Sequence, residues 1–142
     1  MGQLTASREL ASGVEEVWTL AADPNGFEKW LTLHQKWKSD IPAQLAVGVQ
    51  MTEVISMMGM PNTITWTVDE YSAPNVLAIS GIGMAGVKMS IKFDVEPAEA
   101  GCVFILSANF EGQMIVGALG KAIETQGGKE LEASLDQFAQ LL

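Results

Sequence analysis

The sequence predicts an α+β domain in which a long C-terminal helix packs over a curved antiparallel sheet of about six to seven strands, with two short helices after the first strand. Apolar residues recur at helical spacing near both ends of the chain, and at every second position through most of residues 33–111. The chain has 142 residues and a hydrophobic fraction of 48%, which is enough to bury one core. We therefore expect a single domain over residues 1–142.

A strand and two short helices are predicted at the N-terminus. Residues 3–12 alternate loosely between polar and apolar and predict the first strand. Ser12 as N-cap, with Glu15 at the third helical position, predicts a capping box at the start of the first helix. The segment 23–26, Asp-Pro-Asn-Gly, ends this helix and opens the second one. The apolar residues of the two helices are Val14, Val17, Trp18, Ala21, Phe27, Trp30 and Leu31.

Alternating segments separated by turn sequences predict the sheet. The predicted strands are residues 33–38, 49–58, 63–71, 76–84, 87–96 and 102–111. The clearest alternation runs from Val87 to Glu96, where apolar side chains share one face and polar side chains share the other. Gly59–Asn62, Ala73–Asn75 and Glu96–Gly101 predict turns between strands.

The segment after Gly112 returns to helical spacing and predicts the C-terminal helix. Its apolar residues form two stripes, Ile115, Leu119, Ala122 and Ile123, then Leu131, Leu135, Phe138 and Leu142. Gly127–Gly128 lies between the stripes and predicts a kink or break, because two glycines cost a helix about 2 kcal/mol relative to alanine. Since a curved sheet stands off from a single helix, we expect a cavity between the two.

Composition and charge argue against several classes of function. A net charge of −9 without a basic cluster disfavours nucleic acid and anionic membranes as partners. The apolar stretches are too short to span a bilayer and the first residues do not resemble a signal peptide, so we expect a cytoplasmic protein without membrane insertion. The lone cysteine, Cys102, rules out an internal disulfide and is predicted to be a small buried apolar residue. With one His and one Cys, we predict no metal site. We also predict no cofactor, because residues 81–86 match G-x-G-x-x-G but lie in or just after a predicted strand and do not open a helix.

Two residues are candidates for acid–base chemistry, Glu53 and His34. If the strand over 49–58 turns Met51 and Ile55 inward, Glu53 shares their face, where a carboxylate can act as an acid or base or anchor a ligand hydroxyl. In the opposite phase Glu53 is solvated, and the two phases are similarly hydrophobic. His34 follows the second helix, where it either lies at the pocket rim and donates a proton to a bound carbonyl, or is a surface or capping residue.

The large apolar side chains predicted to contact a ligand lie mainly in the strands. Trp66 shares a strand face with Ile64 and Val68, a position that suits both a core anchor and an aromatic wall for a flat ligand. Every methionine after Met1 falls between residues 51 and 114, and this flexible side chain suits an adaptable pocket or a loosely packed core. The predicted ligand-binding residues are Trp37, Met51, Met57, Trp66, Met89, Phe93, Phe110 and Leu119.

Three parts of the chain resemble a known superfamily. They are Val14-Glu-Glu-Val-Trp18 with Ala22-Asp-Pro24, Gly48 with Met58-Gly-Met-Pro61 and Trp66-Thr-Val68, and Leu131 with Leu135 and Phe138. In order and spacing they resemble the helix-grip superfamily (START-like, SRPBCC), and most closely its small polyketide cyclase/dehydrase-like proteins common in actinobacteria. The resemblance covers essentially the whole chain. It implies a pocket and no particular reaction, since members bind lipids, hormones, quinones or polyketides, and some catalyse cyclisation or dehydration.

Three functions are compatible with the sequence. The lack of a recognisable catalytic constellation favours binding or carriage of an apolar or aromatic small molecule, lipid- or polyketide-like, between the sheet and the C-terminal helix. The alternative is a polyketide cyclase, aromatase or dehydratase that uses general acid–base catalysis, with Glu53 and His34 as the acid–base groups. The second alternative is a protein-interaction module that uses an exposed sheet face or the terminal helix, with a partner that the sequence does not identify.

Overall fold

The computed structural model of the chain describes residues 2–57, 59–83, 86–113 and 116–142. Within these ranges the strands are β1 (Gly2–Leu10), β2 (His34–Trp37), β3 (Gln50–Met57), β4 (Met60–Ser72), β5 (Val76–Ile82), β6 (Lys88–Ala98) and β7 (Gly101–Glu111). The helices are α1 (Val14–Ala21), α2 (Phe27–Trp30), which follows a 3₁₀ turn at Pro24–Gly26, and α3 (Gly117–Gln140). No helix in the described ranges has the length and apolar character needed to cross a membrane.

A single antiparallel sheet carries these strands. Its order is β1-β7-β6-β5-β4-β3-β2, so all consecutive strands from β2 to β7 are joined as neighbours and β1 closes on β7. The sheet curves into a half-barrel, and α3 packs against β1 and α2. The predicted architecture of a curved sheet, two short helices after β1 and a long C-terminal helix is therefore confirmed.

The inner face of the sheet forms most of the core. On β6 and β7 the alternation of side chains places every second residue inside, as their sequences predict. The buried residues of these two strands are Met89, Ile91, Phe93, Val95, Cys102, Phe104, Leu106, Ala108 and Phe110. In the sheet order β7 and β6 follow β1, and together with β1 they form the wall against which α1 and α3 pack.

The two N-terminal helices begin differently from each other. Gly13 is the N-cap of α1 and no side chain caps the helix, so the predicted capping box of Ser12 and Glu15 is wrong. Glycine tolerates the extended N-cap conformation, and the helix starts without help from the serine hydroxyl. The 3₁₀ turn does have a side-chain cap, because the Asp23 carboxylate accepts a hydrogen bond of 3.1 Å from the Asn25 backbone N–H.

The turn between β3 and β4 is shorter than predicted. The sequence predicts a turn over Gly59–Asn62, but β4 begins at Met60, which pairs with Met57 across a two-residue connection. Gly59 has a φ of 80°, and such short hairpin connections need positive φ angles, which glycine adopts without strain. Residues 58, 84 and 115, which the sequence places in predicted elements, lie outside the described residues.

Helix α3 runs without interruption through Gly127–Gly128, so the break predicted there is wrong. Gly127 faces β1, where an added Cβ would come within 2.4 Å of Leu4 Cδ1. The missing side chain therefore lets the helix approach the strand closely, and packing against the sheet compensates for the low helix propensity of glycine.

An aromatic cluster fills the space between α2, α3 and strands β6 and β7. The Trp30 ring centroid lies 5.0 Å from that of Phe138 on α3, and 5.7 Å from those of Phe93 and Phe104 on the sheet. Phe27 completes the group at 5.8 Å from Trp30. The rings meet mostly edge to face, which is the arrangement that their quadrupoles favour. The C-terminal half of α3 is thereby anchored to the sheet through Phe138.

Candidate functional site

Strand β3 turns the carboxylate of Glu53 into the protein interior. Glu53 is 1% exposed, as are Met51 and Ile55 on the same face of the strand. The pairing with β4 sets this orientation, because Met51 lies opposite Trp66 and Glu53 opposite Ile64. Of the two phases compatible with the sequence, the inward one is observed.

His34 and Trp66 contact the two oxygens of the buried carboxylate. The Trp66 Nε1–H donates a hydrogen bond of 2.7 Å to Glu53 Oε1, and His34 Nδ1 contacts Glu53 Oε2. The side chains of His34 and Glu53 are 4% and 2% exposed. A buried carboxylate is costly unless donors replace its water, and here an indole and an imidazole do so. We call His34, Glu53 and Trp66 the buried cluster.

Aromatic rings enclose the imidazole of His34. The Phe27 ring lies edge-on at a centroid distance of 6.2 Å, and the Trp37 ring lies at 5.3 Å. Trp37 is itself fixed, because its Nε1–H donates a hydrogen bond of 2.9 Å to the Pro24 carbonyl. His34 Nε2 makes no hydrogen bond to another described residue. Since Glu53 engages Nδ1, Nε2 is the ring atom through which His34 can exchange a proton with a ligand.

A small cavity lies between α3 and the sheet, where the sequence predicts one. Its volume is about 20 Å³, which is room for a single water molecule. The described residues that line it are Leu4, Leu33, Ala108, Phe110, Ile123, Gln126, Gly127, Glu130 and Leu131. Its wall is apolar apart from Gln126 and Glu130, so we treat this small space as the candidate ligand site.

The predicted ligand-binding residues are distributed around this space. Phe110 lines the cavity, and Trp37 lies half-buried beside His34. Buried on the inner face of the sheet are Met51, Trp66, Met89 and Phe93. Leu119 is 39% exposed on α3 and is not among the lining residues, whereas the Met57 side chain lies outside the description. Ligand contact by these residues stays a prediction.

A second polar group, missed by the sequence analysis, joins α3 to the segment after α2. The Thr32 N–H donates to Ser134 Oγ at 3.0 Å, and the Thr32 hydroxyl contacts Glu130 Oε2 at 2.5 Å and the Glu130 carbonyl at 3.1 Å. We call Thr32, Glu130 and Ser134 the polar clamp. Its one signal in the sequence is a serine between Leu131 and Leu135, in the stripe that packs on the sheet.

The described residues give little support to a cysteine nucleophile or to a metal site. Cys102 is fully buried, which confirms its predicted place in the core, and burial raises the pKa of its thiol above the usual value. A thiol with a raised pKa is a poor nucleophile near neutral pH. No group of three or more His, Cys, Asp or Glu side chains in the described ranges could hold a metal ion.

Known proteins and a family model match this chain over nearly its whole length. The family described as polyketide cyclase/dehydrase and lipid transport matches residues 1–142. An uncharacterised protein of Mycobacterium tuberculosis is 31% identical over 141 residues, covering 99% of both chains. A second protein of the same organism, described as a toxin, is 30% identical over 138 residues, covering 97% of this chain and 96% of its own length.

Solved structures share the fold at low sequence identity. A START superfamily protein from Mycobacterium smegmatis superposes with a TM-score of 0.79 at 13% identity, with 100% of both chains covered. A protein from Thermus thermophilus gives a TM-score of 0.78 at 17% identity, covering 97% of this chain and 94% of that one. At such identities the likeness shows the fold alone.

Proposed function

Because this chain belongs to the polyketide cyclase/dehydrase and lipid transport family, we propose that it binds an apolar or aromatic small molecule between its sheet and α3. The observation that supports this proposal is the cavity at that place, whose wall is apolar except for Gln126 and Glu130. Ligand sites of small-molecule binders have this composition, with a few polar groups that orient the ligand.

Binding requires the space to open, since the cavity holds about 20 Å³ and drug-sized ligands occupy sites of roughly 300 Å³ or more. The N-terminal half of α3 buries fewer residues than the C-terminal half. In the N-terminal half the buried residues are Gly120 and Ile123, whereas in the C-terminal half they are Leu131, Ser134, Leu135 and Phe138. Separating the N-terminal half from the sheet therefore breaks fewer buried contacts. We expect this half to move outward when a ligand enters.

We expect Ala108→Leu to lower ligand occupancy about tenfold, because the longer side chain fills the cavity that Ala108 lines. Occupancy is measured as the non-covalent adduct in native mass spectra of protein incubated with fatty alcohols, quinones and aromatic polyketides. The matched control is Ala78→Leu, which makes the same change on the opposite face of the sheet, beside Leu77 and Ile79. A wild-type protein that takes up none of these compounds would overturn the proposal and favour a protein-interaction role.

The buried cluster supports a second candidate function, cyclisation of a poly-β-ketone chain. His34 Nε2 would remove a proton from a methylene between two ketones, and the resulting enolate carbon would form a bond to a second carbonyl carbon. The imidazolium then returns its proton to the new alkoxide, which completes an aldol closure without any other reactant. Glu53 would act as a positioning residue, because it engages Nδ1 and stabilises the imidazolium.

Under this second candidate we expect Glu53→Gln to lower turnover of a poly-β-ketone about 100-fold or more. The amide keeps the shape of the side chain but removes the charge that stabilises protonated His34. Product formation is followed by chromatography, and the urea midpoint shows whether the variant still folds. Glu70→Gln, on an exposed position of β4, is the control. Full turnover by Glu53→Gln would remove Glu53 from the mechanism.

A further inference from the structure

We infer that the ligand site selects neutral, hydroxyl-bearing apolar molecules over carboxylates, and that Glu130 is the residue that selects them. This inference rests on the proposed binding function and specifies its ligand class. The evidence is the distribution of charge around the cavity and the geometry of the polar clamp.

The wall of the cavity carries a negative charge without a fixed positive counterpart. This charge belongs to Glu130, which lines the cavity, whereas the buried Glu53 is not among the lining residues and contacts His34. Every lysine of the chain is exposed, and none lines the cavity among the described residues. The lone arginine, Arg8, is engaged outside the cavity, where its Nη2 lies 2.7 Å from Asp136 Oδ1 and 3.5 Å from Glu132 Oε2. His34 is the remaining group that can become cationic, but its side chain contacts Glu53 and it is not among the residues that line the cavity.

The polar clamp fixes one carboxylate oxygen of Glu130 and leaves the other without a described partner. The Thr32 hydroxyl contacts Oε2 at 2.5 Å. The Thr32 backbone N–H donates a hydrogen bond of 3.0 Å to Ser134 Oγ, which fixes the position of Thr32. Glu130 Oε1 makes no hydrogen bond to another described residue. A pre-positioned carboxylate with an unused oxygen accepts a hydrogen bond from a hydroxyl, and it can donate none itself.

Contact with Glu130 should raise the affinity of a hydroxyl-bearing ligand and lower that of a carboxylate. A ligand hydroxyl donates to Glu130 Oε1 and gains a charge-assisted hydrogen bond within an apolar space. A ligand carboxylate is ionised near neutral pH, so it would lose its water and face a like charge with no lysine or arginine at hand. Acidic lipids such as free fatty acids should therefore bind poorly, and phenols or alcohols of the same shape should bind well.

The test uses ligand pairs that differ only in the polar group, 2-naphthol against 2-naphthoic acid and 1-dodecanol against dodecanoic acid. Dissociation constants are measured at pH 7 by tryptophan fluorescence and calorimetry for the full chain. We expect the hydroxyl compound of each pair to bind about tenfold more tightly or better. Glu130→Gln, which keeps the shape and removes the charge, should reduce this preference to about threefold or less. Glu99→Gln, in the exposed β6–β7 turn, should leave it unchanged.

The outcomes separate the two proposals. Binding of the carboxylate at least as tight as that of the hydroxyl compound, or an unchanged preference in Glu130→Gln, overturns the selection by Glu130 while the binding function stands. If no member of either pair binds, the proposed function itself fails. Urea unfolding of Glu130→Gln checks that the polar clamp still holds α3, and Thr32→Ser, which keeps the hydroxyl donor, should retain the wild-type preference.

Discussion

Removing the His34 imidazole alone, by His34→Phe, is expected to lower the free energy of unfolding by about 3 kcal/mol or more. The Glu53 side chain is 2% exposed, and among the described residues the substitution leaves its carboxylate with Trp66 as its one remaining hydrogen-bond donor. An uncompensated buried charge is among the most destabilising defects of a folded protein. Since domains of this size are stable by about 5–15 kcal/mol, urea unfolding should show a large shift.

A double-mutant cycle separates the charge pair from simple loss of packing. His34→Phe combined with Glu53→Leu removes both partners, and we expect the double variant to cost less than the sum of the two single variants. Gln35→Phe, one residue along β2 at an exposed position, is the matched control and should change stability by less than about 0.5 kcal/mol. Additive costs in the cycle would show that the two side chains do not interact energetically.

The sheet could be predicted because alternation along single strands determines which residues face the core. Residues 87–96 place apolar and polar side chains on opposite faces, so one orientation alone buries the apolar set. Residues 49–58 do not decide their own orientation, since Val54 is buried in the structure as well as Met51 and Ile55. The inward position of Glu53 depends on the register with β4, which sequence periodicity cannot supply.

The contacts that assemble the site are distant in sequence, which is why periodicity did not reveal them. Thr32 and Ser134 are 102 positions apart, and they meet because α3 crosses the sheet beside the segment after α2. His34 meets Glu53 through the β2–β3 pairing, which contains an irregularity between His34 and Lys36. Helix propensity predicts a break at the glycine pair in α3 for a related reason, since propensity is local and does not include the close approach of Gly127 to β1.

Trp30→Ala is expected to lower the free energy of unfolding by about 3–5 kcal/mol, the usual cost of deleting a fully buried aromatic ring. Trp30 is 0% exposed, and it joins Phe138 on α3 to Phe93 and Phe104 on the sheet. Its loss would leave a cavity at the point where the helix is anchored. Urea unfolding measures the cost, and reduced near-ultraviolet circular dichroism would report the disrupted aromatic packing.

Trp30→Phe tests what the indole nitrogen contributes. Trp30 Nε1 is buried and has no hydrogen-bond acceptor among the described residues. Replacing Trp30 with phenylalanine therefore reduces the volume of the ring without breaking a hydrogen bond to these residues. We expect this variant to cost about 1.5 kcal/mol or less, and to keep the ligand occupancy of the wild-type protein. If Trp30→Phe instead destabilises the protein as much as Trp30→Ala, the N–H is paired in solution with a buried water. If stability is kept but ligand affinity falls, the N–H donates to the ligand, and the ligand site extends from the α3 cavity to the aromatic cluster.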